Sequence, residues 1–269
     1  FPDESTPGVD VILPDLTFIR DRRKALAGIV LTHGHEDHLG AIPYLWEQLK
    51  CPIFGSAFTL ALLRRKLAES HIDFDIPLHE VCLNESFKIG EFEIEMIGLN
   101  HSIPDPVALA IKTAEGTVLH TGDWKFDNTP ILGTDTDTGR LSAIGNEGVL
   151  ALVGDSTNAM QEGRTGSESE AREGLTEAIS NSTGRVAITC FASNVARIES
   201  IFQAAKKNDR SVAVVGRALS RAISAAREVG YLTDMPDLVS ESDVDLLPRE
   251  SIVIICTGTQ GEPRAAMAR

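Results

Sequence analysis

The 269-residue sequence predicts an α/β protein in two parts. Three observations carry that expectation. Apolar runs with strand-like alternation follow one another from Phe87 to Val153. Beyond Ser167 the pattern changes to alternating strand-like and helix-like segments, which is the signature of a parallel sheet with flanking helices. Between the N-terminus and these runs, an apolar strand leads into Thr32-His33-Gly34-His35-Glu36-Asp37-His38-Leu39-Gly40. The change of pattern falls between Ala159 and Ser167, so the parts are taken as residues 1–162 and 163–269.

Taken in order, residues 1–20 read as loop and short strand, punctuated by Pro2, Pro7, Gly8 and Pro14 around the apolar run Val9 to Leu13. Asp10 offers an oxygen to a structural Ca2+, against the plainer role of a solvated or capping carboxylate. Ile29 to Thr32 is expected as a buried strand. Gly40 to Lys50 is a short helix with Ile42, Leu45, Trp46 and Leu49 on one face, and Pro43 suits its first turn. Pro52 to Phe54 is a strand. Ser56 then caps a helix running to Glu69. Its Arg64-Arg65-Lys66 run is a solvated face or a polyanion contact.

Phe87–Ile89 and Phe92–Ile97 alternate as paired strands around Gly90, and Val107–Lys112 and Thr117–His120 repeat the arrangement. Thr134 to Arg140 is polar and is expected as a surface loop, followed by a buried strand from Val149 to Val153. Ser167-Glu168-Ser169-Glu170 is a capping box opening a helix that Gly184 would stop. Strand Val186–Cys190, helix Asn194–Lys207, strand Val212–Val215, helix Leu219–Val229 and strand Ile252–Cys256 complete the pattern.

The apolar share of 42% suits a globular core, and no apolar run approaches the ~18 residues needed to cross a bilayer. Four cysteines without a Cys-X-X-Cys pair, three of them in or beside apolar runs, suggest buried free thiols in a reducing cytosol. A net charge of −14 argues against indiscriminate coating of nucleic acid, although metal or a local basic lining can still hold phosphate.

Imidazole and carboxylate together suit zinc or a similar divalent ion. His33 and His35 can face one ion while Asp37 and His38 face a second, and two such ions can clamp a phosphoryl centre. His101 follows a strand and can complete the first set. Asp123 ends another strand after Thr121-Gly122 and can bridge both ions. Asp37 has the alternative of orienting a ligand histidine. His71 and His79 read as surface residues, and His120 as a strand-end histidine within reach of the site.

The pattern His33-Gly-His-Glu-Asp-His38 resembles the metallo-β-lactamase superfamily signature. Further segments are similar to the ribonuclease J family: Asn100-His-Ser-Ile-Pro-Asp105, Thr121-Gly-Asp-Trp-Lys-Phe-Asp127, Gly154-Asp-Ser-Thr-Asn158, Phe191-Ala-Ser-Asn-Val195 and Thr257-Gly-Thr-Gln-Gly-Glu-Pro-Arg264. The resemblance implies a metallo-β-lactamase αββα core with an inserted β-CASP domain, both partial. It implies two Zn2+ ions, with Mn2+ as an alternative, in a zinc-dependent 5′-to-3′ exonuclease and endonuclease that processes RNA. His33, His35 and His101 would hold one ion, Asp37 and His38 the other, with Asp123 bridging. Asp37, Asp123 and Asp155 would be the catalytic carboxylates, Asp155 being one candidate for the leaving-group acid. Ala192, Ser193 and Asn194 would hold RNA or its terminal phosphate, a task that suits backbone N–H groups at a helix start.

The chain departs from the family at Ala218 and Thr259, where serine is usual. A last metal-binding histidine and a His-X-Ser-Gly-His phosphate site are expected beyond Arg269, and the opening strands before Phe1. The 269 residues alone are therefore expected to be inactive. The partners implied are single-stranded RNA and, at full length, further copies in a homodimer or homotetramer, in the cytoplasm and without a membrane. The rivals are a metallo-β-lactamase-fold hydrolase of small esters or thioesters and a non-catalytic RNA-binding subunit.

Overall fold

The computed structural model describes residues 6–9, 11–70, 75–259 and 265–268. Asp10, His71 and the segment 260–264 of the last motif lie outside the described residues. Among those described, no helix is long and apolar enough to cross a membrane.

The first half is a layered sandwich. A single turn, α1 (Thr17–Arg20), precedes β1 (Ile29–Val30), α2 (Glu36–Leu39) and α3 (Ile42–Leu49). Next come β2 (Ile53–Gly55), α4 (Ala57–Glu69) and β3 (Leu78–Glu80). β1, β2 and β3 form a parallel sheet in that order, with Ile29 opposite Ile53 and Ile53 opposite Leu78. The second sheet runs β4 (Ser86–Ile89), β5 (Phe92–Gly98), β6 (Val107–Thr113), β7 (Gly116–His120) and β8 (Ala151–Val153). Its pairings are antiparallel except β7 with β8.

Period-two alternation decides what each face meets. Ile94, Met96, Val107 and Leu109 pack with Val30 and Phe54 of the smaller sheet. The opposite face, Ile97, Leu99, Ala108 and Ala110, packs with Ile144 and Leu141 of α5 (Thr138–Glu147). The far side of the small sheet, Leu31 and Ile53, meets Phe58 and Leu63 of α4. The order helix, sheet, sheet, helix is the expected αββα core.

The second half contains α6 (Glu168–Ser180), β9 (Val186–Thr189), α7 (Val195–Lys207), β10 (Ser211–Val215), α8 (Arg217–Glu228) and β11 (Ile252–Cys256). β11 lies between β10 and β9, and both pairings are parallel. The Ser167 capping box forms, with Ser167 accepting from the Glu170 N–H and Glu170 reaching back to the Ser167 N–H.

Four expectations need correction. The segment from Thr134 is a loop only as far as Asp137, which caps α5 by accepting the Arg140 N–H. Its polar residues face solvent while Leu141 and Ile144 reach the sheet. The strand near Val153 is exposed rather than buried: Leu152 is 66% and Val153 52% exposed. Among the described strands β8 has a neighbour on one side only. The run Val9 to Leu13 forms no strand at its described residues, and Val9, Val11, Ile12 and Leu13 are exposed. Of the four free cysteines, Cys51, Cys190 and Cys256 are buried but Cys82 is exposed.

Candidate metal centre

The two halves of the site come from turns at the ends of β-structure. Thr32 and His33 follow β1 after one intervening residue and are buried, and His35 is the residue before α2. Glu36 of this turn points away to Lys66 of α4. His101 and Ser102 occupy the loop between β5 and β6, and Asp123 follows β7. Gly122 lets that last turn close. Its φ is +57°, and a side chain there would press on Thr32 at 3.0 Å.

These turns bring the predicted ligands together. His33 Nε2 and His101 Nε2 each lie 3.1 Å from His35 Nδ1, and both lie 3.8 Å from Asp123 Oδ2. The other carboxylate oxygen, Asp123 Oδ1, lies 3.4 Å from His38 Nε2, which is 3.5 Å from Asp37 Oδ2. Four ligands ~2.05 Å from a tetrahedral zinc would stand ~3.3 Å apart, so these separations fit one ion in each set. The first set is His33, His35, His101 and Asp123, and the second is Asp37, His38 and Asp123. Asp123 belongs to both and presents one oxygen to each.

Burial supports the chemistry. It pushes the His33 imidazole down to about 2, and the neighbouring imidazoles add to the effect. His35 falls to about 4 for the same reasons, burial first. His101 is also lowered, chiefly by burial. These rings are therefore neutral near pH 7, which is the form that binds metal. The nitrogens facing away are held as well: Thr32 Oγ1 lies 3.1 Å from His33 Nδ1, and Ser102 Oγ lies 3.4 Å from His35 Nε2. Such outer contacts fix ring orientation. The sequence carried no sign of them beyond the presence of hydroxyls beside the motif.

Asp155 lies farther along the same groove as His101 and Asp123. Its carboxylate accepts the Thr157 hydroxyl at 2.6 Å and the Thr157 N–H at 2.9 Å, which hold it below the usual range. Asn194 reaches this groove from the second half, and its side chain caps α7 by accepting the Arg197 N–H. Ser193 is half-buried beside it, and Ala192 packs against the main core. His120 ends β7 without joining either set, and His79 stacks on Phe54 at 4.8 Å.

Sequence reading missed the role of Asp105. Its backbone is left-handed, with φ +54°, and its Oδ2 accepts the Phe58 N–H at the start of α4. Ser56, the expected cap, instead donates to the Asp105 carbonyl. The Tyr231 hydroxyl donates to Asp105 Oδ1 at 2.5 Å. The loop carrying His101 is thus tied at its far end to both halves of the molecule.

Comparison with known proteins agrees with this architecture. A family model described as "Beta-lactamase superfamily domain" matches residues 7–135, and one described as "Ribonuclease J, beta-CASP domain" matches residues 183–269. The chain is 45% identical over 269 residues to Ribonuclease J of Sinorhizobium meliloti, covering 100% of this chain and 48% of that protein. It is 45% identical over 271 residues to Ribonuclease J of Mycolicibacterium smegmatis, with the same coverage. With Ribonuclease J2 of Bacillus subtilis the identity is 39%, again covering 100% of this chain and 48% of the relative. A crystal structure of a protein of unknown function from Enterococcus faecalis V583 shares the fold, with a TM-score of 0.62 at 15% identity over 87% of this chain and 59% of that one. The chain spans about half the length of these curated relatives. The matches run through both halves: the first is similar to a β-lactamase superfamily domain, the second to a ribonuclease J β-CASP domain, and the whole chain to about half of the curated ribonuclease J proteins.

Proposed function

We propose that this chain serves a ribonuclease that hydrolyses RNA phosphodiesters with a pair of divalent ions, zinc or manganese. The observation that carries the reading is Asp123, whose two oxygens face two separate ligand sets. His33, His35, His101 and Asp123 would hold one ion, and Asp37, His38 and Asp123 the other. Such a pair, when bound, lowers the pKa of water and stabilises charge on a phosphoryl group.

The chain's own residues do the rest. Neutral imidazoles keep the first set ready to bind, and Thr32 and Ser102 hold two of the rings in place. Asp123 fixes the separation of the two sets. Asp155, kept anionic by Thr157, suits accepting a hydrogen bond beside the reacting phosphate and not donating a proton to the leaving oxygen. The turn Ala192-Ser193-Asn194 would hold RNA or its 5′-phosphate. Asn194 lies on the groove that also holds His101 and Asp123, which supports this placing. The 162/163 division rests on the change of sequence pattern between Ala159 and Ser167, while 5′-to-3′ exonuclease and endonuclease action on single-stranded cytoplasmic RNA and assembly as a homodimer or homotetramer rest on the resemblance to the family.

A hydrolase of small esters or thioesters could share the ligand sets. The groove favours a polymer: it encloses about 900 Å³ and continues from His101 to Arg197 of the second half. A non-catalytic subunit would have no need of six intact ligands. The test is full-length protein on 5′-labelled RNA and on a thioester panel, with and without chelator. Metal-dependent RNA cleavage without thioester turnover is expected. Thioester turnover with intact RNA would overturn the reading.

A further inference from the structure

The groove holds an exposed pair of aromatic rings that the metal site does not use. Trp124 follows Asp123 directly, and Phe126 is two residues on. They are 38% and 56% exposed, their ring centroids stand 5.0 Å apart at 62°, and both line the groove with His101 and Asp155. The backbone between them is held extended, because the Lys125 N–H donates to the Asn100 carbonyl at 2.9 Å in an antiparallel bridge. Residues i and i+2 of an extended chain share a face, so the two rings are presented together. The other tryptophan shows the contrast. Trp46 is buried, with its indole N–H donating to the Cys51 carbonyl.

Charge leaves work for these rings to do. Of the three Lys and Arg side chains lining the groove, Lys125 is engaged with Asp127 at 3.3 Å and Arg197 with Glu168 at 2.6 Å, which leaves Arg164. With a net charge of −14 on the whole chain, little free positive charge remains to hold a strand along its backbone. Stacking needs no charge, and every base offers a face to it.

We propose that Trp124 and Phe126 form a stacking platform for one or two bases of single-stranded RNA next to the scissile phosphate. The proposal rests on the ribonuclease reading above. It makes grip on the substrate largely independent of sequence, and it sets which nucleotides must be unpaired for cleavage.

The test uses the full-length protein and a single-stranded, 5′-monophosphorylated oligoribonucleotide. KM and kcat are measured on the intact strand and on a series carrying one abasic nucleotide at each position. Trp124→Ala and Phe126→Ala should raise KM about 5- to 100-fold, with kcat changed less. Trp124→Phe and Phe126→Tyr keep an aromatic face and should restore most of the grip, which separates stacking from a folding defect. In the unsubstituted protein an abasic site at one or two adjacent positions should raise KM by a similar factor. In Trp124→Ala the same abasic sites should add nothing further. Unchanged KM in the alanine variants would overturn the platform, as would abasic penalties that persist in full in Trp124→Ala. A parent protein that cleaves no RNA would instead refute the ribonuclease reading.

Discussion

The three histidines of the first set gain their chemistry from burial and from contact with one another, and all three face Asp123. The two ligand sets share only that carboxylate, so substitutions should separate them. His35→Ala should remove the first ion and leave the second, while Asp37→Ala should weaken the second and leave the first. Metal titration by calorimetry on the full-length protein checks both. The turn 192–194 calls for a finer experiment. Asn194 caps α7, so Asn194→Ala should cost about 1 kcal/mol of stability besides any effect on RNA. Ser193→Ala carries no such cost in a side-chain hydrogen bond and is the cleaner probe. If the turn holds a 5′-monophosphate, it should slow exonucleolytic decay more than internal cleavage of the same RNA. Equal slowing would assign the turn to general binding. His33, His35, Asp37 and His38 were legible because they crowd into six residues after a strand. Thr32, Ser102 and Asp105 were not, because a hydroxyl or a lone aspartate gains its role only from what the fold sets beside it.

Elements were legible where their apolar period was complete. β5 and β6 face a core on both sides, and they and β7 were read nearly to the residue, as was the start of α6 from its capping box, although α6 ends at Ser180, before the expected stop at Gly184. α5 was not, because a short helix on an outer layer buries only Leu141 and Ile144 and begins in a polar tract. One ion pair attaches it to the sheet: Arg140 donates to both oxygens of Glu95 on β5, at 2.6 and 2.8 Å. Those bonds hold the Glu95 carboxyl below its usual range. Glu95→Gln should therefore destabilise by about 1–2 kcal/mol near pH 7, between the exposed and buried cases. A depressed carboxylate contributes above its unfolded value near 4.5, and that contribution is lost as pH falls through the lower folded value. Denaturant melts of the two proteins should converge on acidification below about pH 4. A difference that stays constant at low pH would remove the ion pair from the account.

Across the molecule, the halves share one core. Leu31, Phe58 and Leu63 from the first half join Ile198, Phe202 and Ile223 from the second in a single buried cluster. Arg65 with Glu228 and Glu69 with Arg221 close the seam between α4 and α8 at the surface. The Tyr231 hydroxyl bridges the same seam to Asp105, and burial raises its pKa, so it stays protonated and donates. Tyr231→Phe should cost about 1.5–3 kcal/mol, the usual range for a hydrogen bond to a charged group, read as a lower unfolding midpoint with unchanged metal content. Sequence periodicity separated the two halves but could not reveal this shared core, since apolar stripes do not name their partners. The most direct measurement is the metal content of the full-length protein and its Asp123→Ala variant, by elemental analysis after equal exposure to zinc or manganese. A carboxylate shared by two ligand sets predicts about two ions per chain in the parent and weakening of both in the variant. Loss of one ion with the other held at full affinity would contradict the shared site, and a metal-free parent that still cleaves RNA would contradict the whole reading.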